Sequence, residues 1–321
     1  MIVETQVKRI FLLKYMQELH EKEWGKKMDT DKLEMFVRAA RLKSITDAAQ
    51  SLQYTQSGAS HMLQSLEEEL GGVTLLARSR RGVELTAAGQ RLLPLAQEIL
   101  YWSGQLMQTV DFLQGTEMGL LRVGGFTSAM TLWLPSVLKA LREKYPNVQL
   151  ETMRASYEDV ERWVRTGQVD CGFCRLPVHT GLKSYFLADD PLVVITPPNH
   201  RLREKEVISY SDLDGEDFIR PTQDRFNDVA SLLALSNVTL HFPHMVHDYH
   251  EVITSVASGL GISIVPAMMM KMYAFSVSVH QLEDHPHRRI GLVVRNEKNI
   301  SPITKAFIEI TQKLFEDGTL G

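Results

Sequence analysis

The sequence predicts three parts in order: a small all-α domain closed by a β-hairpin, one long amphipathic helix, and a two-lobed α/β domain. Three observations predict them. Between residues 29 and 70, apolar residues recur at helical spacing in three short runs separated by cap and turn residues. From Leu92 to Leu113 a mostly apolar seam steps 3, 4, 3, 4, 3, 4 along the chain. After residue 119, short apolar runs bounded by turn residues alternate with helical patterns. The length, 321 residues, suits about two domains at roughly 150 residues each.

Composition narrows the class. Apolar residues make up 44% and charged residues 23% of the chain, which excludes a disordered chain, a collagen-like chain and a disulfide scaffold. The net charge is -4, so no global positive charge announces nucleic acid. Cys171 and Cys174 are the only cysteines, as expected of a reducing compartment. No apolar run approaches the roughly 18–20 residues needed to span a bilayer. The apolar stretch Ile10-Phe11-Leu12-Leu13 is too short for a signal peptide. A cytoplasmic protein without a membrane partner is expected. Residues 1–28 form an N-terminal extension; either Phe11, Leu12, Tyr15 and Leu19 mark a short amphipathic helix, or translation starts at Met28.

The first helix follows from Leu33, Phe36, Val37 and Ala40 at i, i+3, i+4, i+7. Ser44, three residues before Asp47, starts a second helix over Thr46 to Leu52, whose Ala48 and Ala49 permit close packing. Gln53-Tyr54 makes a turn. Thr55 is a good N-cap for a third helix running to Leu70 and ended by Gly71-Gly72. That helix has an apolar face of Ala59, Met62, Leu63, Leu66 and Leu70. Ser57, Ser60, His61 and Gln64 occupy the other face, with Gln56 beside them. These short or planar side chains suit a groove, where Gln can pair bidentately with adenine. A solvent face on a small bundle is the other reading; Glu67-Glu68-Glu69 reads that way.

Residues 75–85 then read as a hairpin with a basic tip, Arg78-Ser79-Arg80-Arg81. Three arginines in four residues at a turn make a local phosphate-binding wing. Residues 29–94 hold 8 Lys/Arg against 8 Asp/Glu, so the nucleic-acid reading rests on placement and not on total charge. The domain therefore reads as an all-α winged helix-turn-helix over 29–86. Thr86 caps a linker helix over 87–115 whose seam comprises Leu92, Leu95, Ile99, Trp102, Leu106, Thr109 and Leu113. Such a seam needs a partner: its own domain, or a second copy, which a reader of two-fold DNA sites requires.

Residues 119–321 predict an α/β domain with a mostly parallel sheet and a cleft between two lobes. The first lobe spans about 119–190 and 296–321, the second about 191–295. A single helix is expected over Ala129–Lys144, and strands over Val169–Cys174, Leu192–Thr196, Ile262–Val265 and Ile290–Arg295. Ligands bind beyond the carboxyl ends of strands in such sheets. Thr127, Ser128 and Ser156 end first-lobe strands and open helices. Arg220, Pro221 and His247 are expected to end strands of the second lobe. Arg220 among hydroxyls favours a carboxylate-bearing metabolite. Thr127 and Ser156 as plain helix caps is the alternative.

Taken together these residues resemble the LysR-type transcriptional regulators from Met28 to about Phe315. The likeness rests on Leu33-Glu34-Met35-Phe36-Val37, Ser44 to Ala49, Leu52 to Ser60, Leu66 to Gly71 and Leu85 to Gly89. Leu134-Pro135, Tyr145-Pro146, Gly167-Gln168-Val169-Asp170 and Val256 to Ile262 carry it through the second half. Three departures stand out: His61 replaces the family's usual Arg, the join at Gly71 to Leu75 is one residue longer, and Leu76 replaces an aromatic. The resemblance implies a winged helix-turn-helix, a dimerising linker and lobes like those of periplasmic binding proteins. It implies promoter DNA, a small-molecule effector and RNA polymerase as partners, a homodimer assembling to a tetramer, and no cofactor. The candidate DNA contacts are Ser44, Thr46, Thr55, Gln56, Ser57, Ser60, His61, Gln64, Arg78, Arg80 and Arg81.

Rival patterns exist. Cys171-Gly172-Phe173-Cys174 imitates a redox pair, but on a strand positions i and i+3 face opposite sides, about 10 Å apart. His241, His244, His247 and His250 recur every three residues like a metal cluster, but neither helix nor strand spacing converges three imidazoles. Gly124-Gly125-Phe126-Thr127-Ser128 lacks the full dinucleotide fingerprint, and no catalytic constellation appears. A metal- or redox-responsive regulator of the same fold, or a non-regulatory small-molecule binding protein, stays open.

Overall fold

The computed structural model describes residues 29–320 other than 80–81, 115–118, 180, 222–226, 236–237, 243, 273 and 297–299. Two compact units divide within one helix, at Trp102/Ser103.

The first unit begins with α1 (Thr30–Leu42), capped by Asp29, and continues with α2 (Ile45–Ser51) and α3 (Gln56–Glu69). Both expected caps form: Ser44 Oγ accepts from Asp47 N at 3.2 Å, and Thr55 Oγ1 from Gly58 N at 3.1 Å. Ala48 and Ala49 are buried with Phe36, Ala59 and Leu66 in one core, so the small residues let the helices approach. Gly71 and Gly72 (φ 82° and 80°) end α3 in the left-handed region. Strands β1 (Leu76–Ser79) and β2 (Gly82–Leu85) pair antiparallel with Ser79 opposite Gly82. This wing is fastened to the α1–α2 turn, since Val83 N donates to Lys43 O at 2.9 Å. Gly82 has φ +117°, and a Cβ there would lie 2.1 Å from that carbonyl oxygen.

The acidic run at the end of α3 is not a solvated face. Glu67 Oε1 accepts from Leu75 N at 2.6 Å, and Glu69 pairs with Lys32 at 2.5 Å. Only Glu68 of the three is exposed. Thr86 caps α4 (Ala87–Leu113), its Oγ1 accepting from Gly89 N at 2.9 Å and donating to Thr74 O at 2.7 Å.

The second unit is built on one eight-stranded sheet of order β4-β3-β5-β12-β6-β11-β7, with β10 also paired to β6. These strands are β3 (Gly119–Gly125), β4 (Val148–Arg154), β5 (Cys171–Leu176), β6 (Lys183–Thr196), β7 (Val207–Ile208), β10 (Ser263–Pro266), β11 (Ser278–Leu282) and β12 (His287–Val294). The sheet is mixed rather than mostly parallel. β3 runs parallel to β4 and β5, but β12 is antiparallel to β5 and β6, and β10 and β11 are antiparallel to β6. The reason is β6, 14 residues long. Its first half pairs with β12 in one lobe and its second with β10 and β11 in the other.

The second lobe ends earlier than expected. Ile290, Leu292 and Val294 of β12 lie in the first-lobe core with Leu121, Phe173 and Phe307. In the second lobe β6 buries Leu192 and Val194 on one face, Val193 and Ile195 on the other, as strand alternation requires. The helix expected over Ala129–Lys144 is two, α5 (Thr127–Leu132) and α6 (Leu134–Lys144), because Pro135 has no N–H for the carbonyl four residues back. α7 (Tyr157–Thr166) follows β4, capped by Ser156. The second lobe adds α8 (Asn227–Leu235) between β8 (Arg220–Pro221) and β9 (Met245–Val246), then α9 (Tyr249–Ala257) and α10 (Ala267–Met272). α11 (Pro302–Glu316) closes the first lobe. Cys171 and Cys174 are free and buried in different clusters, on opposite faces of β5.

Candidate DNA-reading helix and interlobe cavity

On α3, Gln56, Ser57, His61 and Gln64 are exposed and Ser60 is half-buried, opposite buried Ala59, Leu63 and Leu66. Local hydrogen bonds order the polar face: Gln56 Nε2 donates to Ser60 Oγ at 3.4 Å, and Gln64 Nε2 to Glu68 Oε1 at 3.1 Å. Ser44 and Thr55 use their oxygens as caps, and Thr55 Oγ1 also lies 3.2 Å from Ser57 Oγ. Thr46 is exposed at the start of α2. Arg80, Arg81 and the Arg78 side chain lie outside the described residues, as do residues 1–28.

The seam on α4 is largely open. Leu92 packs on the core of the first unit. Leu95, Ile99, Trp102, Leu106 and Leu113 are exposed, at 57, 39, 40, 65 and 78%. Further along the same helix, Gln105 Nε2 donates to buried Asp170 Oδ1 at 3.2 Å and Gln108 Nε2 to Leu120 O at 2.7 Å. Burial raises the Asp170 carboxyl above its ordinary range, against the opposing hydrogen bond from Arg122 N.

A cavity of about 550 Å³ opens between the lobes. Phe126, Thr127 and Ser128 reach it from the end of β3, and Arg154, Ala155, Ser156 and Asp159 from the end of β4. Pro221 and His247 to His250 reach it from the ends of β8 and β9, which pair parallel. Met269 and Arg288 complete the lining. The cavity thus sits at the carboxyl ends of parallel strands in both lobes. Five of the six expected residues line it: Thr127, Ser128, Ser156, Pro221 and His247.

Arg220 is not among them. Its guanidinium lies 4.4 Å from the centroid of the Phe242 ring, with Met245 Sδ at 4.0 Å. Adjacent residues of a strand face opposite sides, so Pro221 turning to the cavity sends Arg220 away from it.

Neither arginine of the lining, Arg154 or Arg288, was expected from the sequence, and the more deeply buried is Arg288 on β12. Its side chain is 4% exposed and contacts Asp190 Oδ2 through Nη2 at 2.7 Å and Nε at 2.8 Å. It also donates to Ser128 Oγ at 3.1 Å and to the Tyr157 hydroxyl, and stacks 4.9 Å from the Phe126 ring centroid. Asp190 accepts in turn from Met268 N at 3.0 Å. One buried ion pair therefore fixes the cavity floor. Ser156 is both cap and lining: its Oγ accepts from Asp159 N at 3.2 Å and donates to Asp159 Oδ2 at 3.0 Å.

Of the four spaced histidines, His247 and His250 line the cavity, while exposed His241 lies 3.7 Å from Asp217. Among the described residues no three His, Cys, Asp or Glu side chains are grouped to hold a metal ion. Burial raises both thiols well above the ordinary range, away from the thiolate that redox chemistry needs.

A family model described as bacterial regulatory helix-turn-helix protein, lysR family, matches residues 30–90, and one described as LysR substrate binding domain matches residues 114–316. An uncharacterized HTH-type transcriptional regulator of Bacillus subtilis strain 168, YvbU, is 28% identical over 291 residues, 90% of this chain and 99% of that protein. The HTH-type transcriptional regulator AlsR of the same strain is 29% identical over 289 residues, covering 88% of this chain and 95% of that one. Among solved structures, full-length CbnR complexed with its target DNA superposes with a TM-score of 0.63 at 23% identity, over 89% of this chain and 99% of CbnR.

Proposed function

Because the chain belongs to the lysR family of regulatory helix-turn-helix proteins, we propose that it regulates transcription from the bacterial cytoplasm, as a regulator and not an enzyme, by binding promoter DNA under the control of a small carboxylate-bearing metabolite in the interlobe cavity. α3 enters the major groove, where Gln56, Ser57, Ser60, His61 and Gln64 read base edges. Ser44, Thr46, Thr55 and the wing arginines Arg78, Arg80 and Arg81 hold phosphates. The target DNA in the CbnR complex supports this partner. The exposed seam from Leu95 to Leu113 joins two copies, and dimers pair to the tetramer that meets RNA polymerase.

The single observation that carries the effector reading is the cavity itself. It falls within the roughly 300–1,000 Å³ of small-molecule sites, with hydroxyls and the Arg154 guanidinium at first-lobe strand ends facing His247 to His250 of the second lobe. Arg154 replaces Arg220 as carboxylate partner, with Thr127, Ser128, Ser156, Pro221 and His247 around it. A thermal-shift screen of organic acids tests this on the full chain. Hits that raise the melting temperature of wild type and lose the shift in Thr127→Val support it. Hits that shift both proteins equally place the effector elsewhere.

A further inference from the structure

Resting on the reading of the cavity as the effector site, we propose that its ligand is a small zwitterion, whose carboxylate is held by Arg154 on the first-lobe wall and whose ammonium is held by Asp248 on the second-lobe wall. Two guanidinium groups and two carboxylates line the cavity. One of each is already committed. Arg288 is paired with Asp190 at 2.7 Å, and Asp159 with Arg162 at 2.6 Å. Arg154 and Asp248 are left, and among the described residues neither makes an ion pair. The free charges of the cavity are therefore one positive and one negative, on opposite lobes.

Three helices start at the cavity, and none changes this balance: α5 is only six residues long, and α7 and α9 carry their own acids. A helix N-terminus attracts anions until its own carboxylates occupy it. α7 carries Glu158 and Asp159 in its first turn. α9 is capped by Asp248, whose Oδ1 accepts from Glu251 N at 2.9 Å, while Glu251 Oε2 accepts from His247 N at 2.6 Å. Both helix ends are thus neutralised from within. A dicarboxylate would meet one unpaired cation and set its second charge against Asp248. A simple monocarboxylate would leave Asp248 facing an anion across the cleft. A ligand with one charge of each sign meets a complement at both ends, and closing the lobes on it brings its charges to Arg154 and Asp248 together.

Calorimetry on the full chain tests this with tryptophan, phenylalanine and leucine. Each is compared with the same skeleton lacking the ammonium group (indole-3-propionate, 3-phenylpropionate, 4-methylpentanoate) or the carboxylate (tryptamine, phenethylamine, 3-methylbutylamine). At least one amino acid is expected to bind about ten-fold or more tightly than both of its singly charged partners. Asp248→Asn keeps the helix cap, because Asn caps as well as Asp, and is expected to abolish the preference over the acid. Arg154→Gln is expected to abolish the preference over the amine. Acids that bind as tightly as amino acids, with Asp248→Asn silent, overturn the zwitterion and leave the effector-site reading standing. Binding unaffected by Arg154→Gln, Asp248→Asn and Thr127→Val overturns both. Failure of every compound to bind overturns the zwitterion proposal.

Discussion

Replacing Arg288 by Met tests whether the buried pair sets the cavity floor. The two side chains are 4 and 3% exposed, so losing the guanidinium leaves the Asp190 carboxylate in a buried site without its cation. Asp190 would keep only the hydrogen bond from Met268 N. Met fills much of the same volume, so the cost is chiefly that of a buried, unpaired carboxylate, about 3–5 kcal/mol. In a unit the size of Ser103–Gly321, each kcal/mol moves the midpoint by roughly 2–4 °C, so a fall of roughly 6–20 °C is expected. Urea and thermal unfolding followed by the fluorescence of buried Trp133 read this unit. Adding Asp190→Asn to Arg288→Met removes the stranded charge and is expected to recover more than half of the loss. A single-variant cost below about 1 kcal/mol, the range of an exposed pair, would mean that the buried pair does not set the cavity floor. So would a double variant less stable than the single.

Other outcomes follow from the same geometry. Asp at both Ile99 and Trp102 is expected to give monomers by light scattering; a variant that stays dimeric moves the interface off α4. Gly82→Ala forces a left-handed residue and a clash with Lys43 O, and is expected to cost the first unit about 1–3 kcal/mol, read by circular dichroism during urea unfolding. An unchanged midpoint there means the wing is not fastened to the α1–α2 turn. Asp170 holds its proton to higher pH when folded than its ordinary value of 3.8. Its contribution to stability is therefore greatest below that value and falls as pH rises through the folded pKa. Against wild type, Asp170→Asn is expected to gain stability from about pH 4 to about pH 7, and a pH-independent difference would contradict that sign.

The legible features were those whose causes are local. The caps Ser44, Thr55, Thr86 and Ser156 act on an N–H three residues away, so spacing alone reveals them. The polar face of α3 and the strand-end residues of the cavity follow from the helical and strand periods. Arg288 was hidden because its partners Asp190, Tyr157 and Ser128 are 98, 131 and 160 positions away. Glu67 looked solvated because nothing within α3 shows that Leu75 N, eight residues on, needs an acceptor. β6 was seen only in its apolar half, since Asp189 and Asp190 interrupt the rest and the ion pair that explains one of them is long-range. Arg220 was chosen by a correct rule applied one residue early. Arg154, the last residue of β4, meets the same rule and was overlooked.

In the proposed function, α3 and the wing read DNA as part of a two-fold assembly. Selection from random duplexes with the purified full chain tests it most directly. An enriched inverted repeat is expected, its half-sites spaced by about 10 base pairs or a multiple of that, and lost from the pool bound by the doubly substituted Ile99→Asp, Trp102→Asp protein. Enrichment of no sequence, or of a site without two-fold symmetry, would contradict it.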